Sequence, residues 1–202
     1  QRQPGELPPL ADSDVLLREW VATLSKHPLL SRVLAQRGLV RAATVAVLQI
    51  GDGKTPTVPL AELRPAERLT LVGGGSPGRI DPASYGRWNA AVRALVSISA
   101  ADAAKVYVNV KPLFDEAYRE LGYPDGDFDE AIVRAIRVLN DTPELAADPV
   151  LLSRPAYFEH EDAALRSLRP VQKQLLLTGP DHRRQVLAWL RQFAAALELK
   201  ID

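Results

Sequence analysis

Gly73-Gly74-Gly75-Ser76-Pro77-Gly78 satisfies two patterns that carry chemistry. As G-x-G-x-x-G it could cradle a pyrophosphate, provided a helix opens within the motif and offers its free N–H groups. Pro77 removes one donor from the loop, and Pro82 falls where the first turns of that helix belong. No acidic residue closing a second strand follows about 20 positions later. The same run contains Gly74-Gly75-Ser76-Pro77-Gly78, a literal G-x-S-x-G. A nucleophile elbow uses the N–H after its serine in the oxyanion hole, and Pro77 has none. The glycines read as a hairpin tip, and Ser76 as a turn residue.

Asp125, Asp127, Asp129 and Glu130 invite a calcium reading. An EF-hand loop needs glycine at its sixth position and glutamate at its twelfth. Counted from Asp125, these positions hold Glu130 and Ile136. Helix capping accounts for the cluster instead, with Asp127 as the cap and Glu130 closing a capping box. His27, His160 and His182 are scattered, and Glu159-His160-Glu161-Asp162 is not H-E-x-x-H. His182-Arg183-Arg184 reads as a solvated basic group near a helix start. The chain has no cysteine, which excludes disulfides, thiolate metal sites and thiol catalysis. No catalytic residue, metal ligand or cofactor is assigned.

The aromatic residues remain. Tyr118 and Tyr123 flank Leu121-Gly122, beside the stiff turn Pro124-Asp125-Gly126, and Tyr157 follows later among acidic residues. Tyrosines placed this way can line a groove, so Tyr118, Tyr123, Asp125 and Tyr157 are the candidate binding residues. The competing reading makes them core-edge residues with the hydroxyl in water. The rival function is a hydrolase or carbohydrate-active enzyme using two carboxylates from Glu116, Glu120, Asp125 and Asp127. Such a pair must face one cleft within about 5–10 Å.

Composition sets the frame that must position these residues. The 202 residues suffice for one sizeable core. Hydrophobic residues make up 47% and charged residues 25%, a globular balance. Lysine plus arginine equals aspartate plus glutamate at 25 each, against a nucleic-acid or anionic-membrane surface. No apolar run approaches the roughly 18 residues of a membrane span. The chain lacks methionine and begins Gln1-Arg2-Gln3-Pro4, which leads us to expect a fragment whose native N-terminus was removed.

The pattern predicts a mainly α, single-domain helical bundle with one or two small β-hairpins. Residues 1–11 read as a proline-rich linker and 12–202 as the domain. Helices are expected from Asp12 or Ser13 to Pro28 and from Pro28 to Gln36, with Gly38 as a stop. Leu39 to Ile50 is rich in β-branched residues, but its length and spacing favour helix. Leu69 to Val72 is expected to return through the glycines to Arg79-Ile80 as a hairpin. Asp81-Pro82 opens a helix to about Ile98 that buries Trp88, Val92, Leu95 and Val96. Ser99 opens the next helix, which Pro112 should kink or split. Leu113, Phe114, Ala117, Tyr118 and Leu121 share one face of it. Phe128, Ile132, Val133, Ile136 and Leu139 do the same beyond the Gly122–Gly126 turn, making the pair a core hairpin. Short extended segments at Val150 to Ser153 and Ala156 to Phe158 precede helices at Glu161 to Leu168, Pro170 to Thr178 and Pro180 to Leu199.

Ala117-Tyr118-Arg119-Glu120-Leu121-Gly122-Tyr123-Pro124-Asp125-Gly126, followed by Phe128, resembles the hallmark stretch of the bacterial family called domain of unknown function 3014. Leu7-Pro8-Pro9-Leu10 with Ser13-Asp14 is similar to its entry segment, and Ile80-Asp81-Pro82 with Tyr85 and Arg87 to its middle. Thr142-Pro143-Glu144, Tyr157-Phe158-Glu159, Gln172-Lys173 with Leu175-Leu176, and Gly179-Pro180 are similar to its C-terminal part. Leu39 to Pro65 fits the pattern less well, and His160 stands where an apolar or aromatic residue is expected. The resemblance brings no catalytic residues. It implies a domain on the periplasmic side of the inner membrane, held there through an N-terminal anchor and a proline-rich linker. Together with the residue-level reading, it leads us to expect a non-enzymatic binding or interaction domain. The expected partner is an envelope protein or cell-wall component. Neither nucleic acid nor direct membrane contact is expected.

Overall fold

The computed structural model describes residues 7–145 and 148–201, so Gln1 to Glu6 of the expected linker lie outside the described residues. Pro8 and Leu10 are buried, and Leu10 begins a 3-10 turn that runs into α1 (Ser13–Leu24). α2 (Pro28–Leu34) is capped by His27, whose Nδ1 accepts from the Leu29 N–H. Gly38 then turns the chain at φ +66°, and α3 spans Leu39–Gly51. The helical reading of Leu39 to Ile50 holds because this segment is packed between helices, with Val40, Thr44 and Leu48 buried.

The start of α3 is capped from a distance. Asp14 of α1 accepts from the Gly38 and Leu39 N–H groups, both at 2.8 Å, and pairs with Arg18 at 3.4 Å. These are orphan donors of a helix start. Asp14→Ala is expected to cost about 1–2 kcal/mol, as lost caps do, and Asp14→Asn to recover part of it, both read by chemical denaturation.

Residues 55–70 are irregular apart from a 3-10 turn at Ala61–Leu63. The expected hairpin between Leu69 to Val72 and Arg79-Ile80 is reduced to one bridge, Leu71 to Ile80. Val72–Gly74 is a 3-10 turn, with Gly73 at φ +70°. β1 (Gly78–Arg79) pairs instead with β2 (Val150–Ser153), which pairs with β3 (Phe158–His160), giving an antiparallel sheet in the order β1-β2-β3. The second extended segment thus lies two residues later than the pattern suggested.

α4 (Pro82–Tyr85) opens as expected, with Asp81 accepting from the Ala83 N–H. The single helix expected to Ile98 is broken, however. A 3-10 turn at Gly86–Trp88 separates α4 from α5 (Asn89–Val96), starting at glycine, the weakest helix former after proline. Val92 is buried, but Val96 faces solvent at 42%.

α6 (Ala100–Glu120) runs unbroken for 21 residues, about 30 Å. Pro112 does not split it. Pro112 and Val108, whose carbonyl loses its partner, are both exposed, so water can take that bond. Ser99 caps this helix through the Asp102 N–H. α7 (Phe128–Asn140) is capped by Asp127, which accepts from the Asp129 N–H rather than through a box with Glu130. Phe128, Ile132, Ile136 and Leu139 are buried as the spacing predicts, while Leu121 lies past the helix end and is 44% exposed.

α6 and α7 are central, but they are not each other's main partners. α7 packs most extensively on α3, and α6 on α10. α8 (Ala163–Ser167) is capped by Asp162, and α9 (Pro170–Leu176) and α10 (Pro180–Ala196) complete the fold. Trp189 of α10 stacks on Phe193 at 5.4 Å and donates its indole N–H to the Ile98 carbonyl. Among the described residues no single helix is long and apolar enough to cross a membrane.

Candidate functional site

The α6–α7 corner is built outward from the core. Tyr118, on the last turn of α6, is only 4% exposed. Phe128, the first residue of α7, meets its ring edge-on at 5.8 Å and stacks on Phe114 at 5.1 Å. Gly122 leaves the helix at φ +98°, a conformation glycine adopts freely. The chain then folds back so that the Tyr123 ring stacks on Tyr118, centroids 4.4 Å apart and planes 12° off parallel. Tyr123 is 37% exposed, and Asp125 stands exposed at the tip. The Gly126 N–H donates to the Tyr123 carbonyl at 3.2 Å and closes the turn.

Gly126 is required here for space. A Cβ on it would lie 2.5 Å from Tyr118 Cε1. The ring cannot yield, being held between Tyr123 and Phe128. Gly126→Ala is therefore expected to cost about 1–3 kcal/mol, the range of overpacked sites, and to lower the near-ultraviolet dichroism of the tyrosines.

The structure brings Tyr118, Tyr123 and Asp125 into one corner. Tyr157 belongs to another element, the turn between β2 and β3, where it is 61% exposed and its carbonyl accepts from the Arg154 N–H.

Beside the corner, Lys111 sits among carboxylates. Its ammonium donates to Asp115 at 3.0 Å and to Asp127, and lies 3.8 Å from Asp129. Asp115 also accepts from the Phe128 N–H, and Asp129 from the Tyr107 hydroxyl. The hydrogen bond from Lys111 holds the Asp127 carboxyl below its ordinary value. Burial disfavours the Lys111 charge, but its bonds to Asp127 and Asp115 outweigh this and raise its pKa. Lys111→Met is expected to cost about 1–2 kcal/mol by leaving like charges together, with the loss growing above pH 4 in chemical denaturation.

Of the four carboxylates in the rival reading, Glu120 is held bidentately by Arg41 at 2.7 and 2.8 Å, and its pKa is lowered by that bond. Asp127 is lowered likewise. Glu116 and Asp125 are exposed.

His160 is 3% exposed, and neither ring nitrogen finds a hydrogen-bond partner among the described residues. Burial lowers its pKa, as does the Lys173 charge, against a smaller opposing effect of Asp162. The position is of the apolar kind that the family resemblance leads one to expect. Because the folded state binds its proton less readily than the unfolded state, stability is full above the ordinary value of 6.5 and declines as pH falls below it. His160→Phe is expected to remove this decline and to add about 1–2 kcal/mol at pH 6, measured by urea denaturation from pH 7.5 to 5.

A second feature escapes a sequence reading. Tyr85, Asp148, Leu176, Pro180 and Arg183 line a recess of about 330 Å³. Tyr85 donates to Asp148 Oδ1 at 2.8 Å, and burial, reinforced by this bond, raises the Tyr85 pKa. Arg183 is not on a solvated face as its His-Arg-Arg setting suggested. It is 6% exposed and donates to the Pro143 carbonyl at 2.9 Å, while His182 bonds the Thr178 carbonyl and Asn89 Oδ1. The signal lies in helical spacing: Arg183 shares the buried face of Leu187 and Ala194.

The fold and the corner define a helical domain with a small side sheet and an exposed tyrosine seated on the core. The family model described as "Protein of unknown function (DUF3014)" matches residues 39–194, and the chain belongs to that family. The match includes the 39–65 stretch that fits the resemblance less well, and Leu7 to Asp14 lie ahead of it. No curated protein and no solved structure matches the chain.

Proposed function

We propose that this domain is a non-enzymatic binding module on the periplasmic side of the inner membrane, and that it docks an envelope protein through the α6–α7 corner. One observation carries the reading. Tyr123 is exposed, yet it is stacked on a ring that the core immobilises. An aromatic side chain ordered before binding loses little entropy on contact, which is what makes tyrosine an effective interface anchor. Leu121 extends the exposed apolar surface, and Asp125 supplies a rim charge. Tyr157 belongs to this proposal as a second contact.

The paired-carboxylate enzyme is the less favoured reading. A general acid needs a raised pKa near neutrality, and Glu120 and Asp127 are shifted the other way by their cationic partners. The test is a photo-reactive residue at position 123 of the protein expressed in cells, with Val58, 81% exposed in an irregular segment, as the control position. A discrete adduct from 123 and none from 58 is expected. Equal, diffuse labelling from both positions would remove the corner as the contact.

A further inference from the structure

We infer that the recess between α4, the residues just ahead of β2, the end of α9 and the start of α10 binds a small zwitterion of the amino-acid class, independently of the corner surface. Its volume, about 330 Å³, lies at the small end of ligand pockets. Arg183, 6% exposed, lies in its wall; its side chain donates to the Pro143 carbonyl, and the other donors of the guanidinium have no acceptor among the described residues. A buried cation without a carboxylate is costly, and a planar guanidinium fits a carboxylate in two-point fashion. Pro180, the first residue of the 17-residue α10, lines the same recess, so the positive helix end reinforces the preference for an anion.

Asp148 lines the recess as well, without pairing with Arg183. Its Oδ1 accepts from Tyr85, and its Oδ2 has no partner among the described residues. A multiply charged anion would meet this carboxylate and be repelled. A ligand with a carboxylate for Arg183 and an ammonium for Asp148 satisfies both, with Leu145 and Leu176 as apolar walls.

The test is a nitrogen-15 NMR titration of the intact chain with glycine, β-alanine, 4-aminobutyrate and 6-aminohexanoate, which space the two charges progressively, and with butyrate and butylamine as single-charge probes. At least one amino acid of the series is expected to shift the Tyr85, Asp148 and Arg183 amides saturably. Its affinity should exceed that of butyrate by about tenfold, the worth of one charge-assisted hydrogen bond. Asp148→Asn keeps an acceptor for Tyr85 and should lose that factor while melting as the parent does. No saturable shift with any member, butyrate binding as tightly as the best of them, or unchanged binding in Asp148→Asn would each overturn the assignment.

Discussion

Phe128→Ala is expected to destabilise the domain by about 3–5 kcal/mol, the range for a large aromatic removed from a core. In a domain of this size that corresponds to a fall in melting temperature of about 10 °C, readable by far-ultraviolet dichroism. Phe128 is 1% exposed. Its ring stacks on Phe114 at 5.1 Å, meets Tyr118 at 5.8 Å and lies 6.4 Å from Tyr107. It therefore meets three aromatics of α6 at once, and a close-packed interior does not refill the space it leaves. Its N–H also donates to Asp115, so its position fixes the Lys111 cluster as well as the corner. Phe114→Leu, at a half-buried position on the same stack, should cost much less. If Phe128→Ala also abolishes the adduct from position 123 at a temperature where the protein remains folded, the stacked tyrosines depend on this ring for their order.

Gly179→Ala is expected to be the next most damaging change, at about 2–4 kcal/mol. Two effects add. Gly179 has φ +95° and ψ 158°, a region that only glycine occupies without strain. A Cβ there would also lie 2.7 Å from Tyr85 Cγ and 2.8 Å from Cδ1, atoms next to the backbone that cannot swing aside. The Gly179 carbonyl accepts from the Arg183 N–H in the first turn of α10. The substitution should therefore loosen the start of α10 and push Tyr85 away from Asp148. Thermal melting reads the first effect. A spectrophotometric tyrosine titration reads the second, because Tyr85 loses the burial that keeps its hydroxyl protonated.

Where a helix faces one apolar neighbourhood, the sequence pattern was enough to find it. α7 is the clearest case: Phe128, Ile132, Ile136 and Leu139 announce its buried face, and Asp127 announces its start. α3 was harder because Val40, Thr44, Val45 and Val47 suit a strand locally. Packing against α6 and α7 settles it as helix, a tertiary contribution that local propensity does not contain. The hairpin through Gly73 to Gly75 is reduced to the Leu71–Ile80 bridge for a related reason. Two short strands beside three glycines have little to hold them, and β1 gains more by pairing with β2, over 70 residues away in the chain. Pro112 was misleading because the rule about proline in helices concerns a carbonyl that water can satisfy on an exposed face.

The candidate site was legible in residue type but not in arrangement. Tyr118 and Tyr123 were visible as a pair around Leu121-Gly122, yet their exposures differ widely, and only the fold shows that one ring is the floor for the other. Tyr157 is at the other end of a long sequence separation, and no periodicity relates it to the corner. Arg183 was hidden for the opposite reason: two polar neighbours gave it a solvated look, while its helix carried it into the interior.

Native-state hydrogen exchange at the corner tests most directly whether its surface is formed in advance by the core. The Leu121, Gly122 and Gly126 N–H groups bond within the turn, to the carbonyls of Tyr118, Arg119 and Tyr123. If the stacked rings hold this turn, these amides exchange only through openings nearly as costly as those of Ala131 in α7, and Gly126→Ala lowers that protection. Exchange of all three at free-peptide rates, with α7 still protected, would contradict a preformed docking corner.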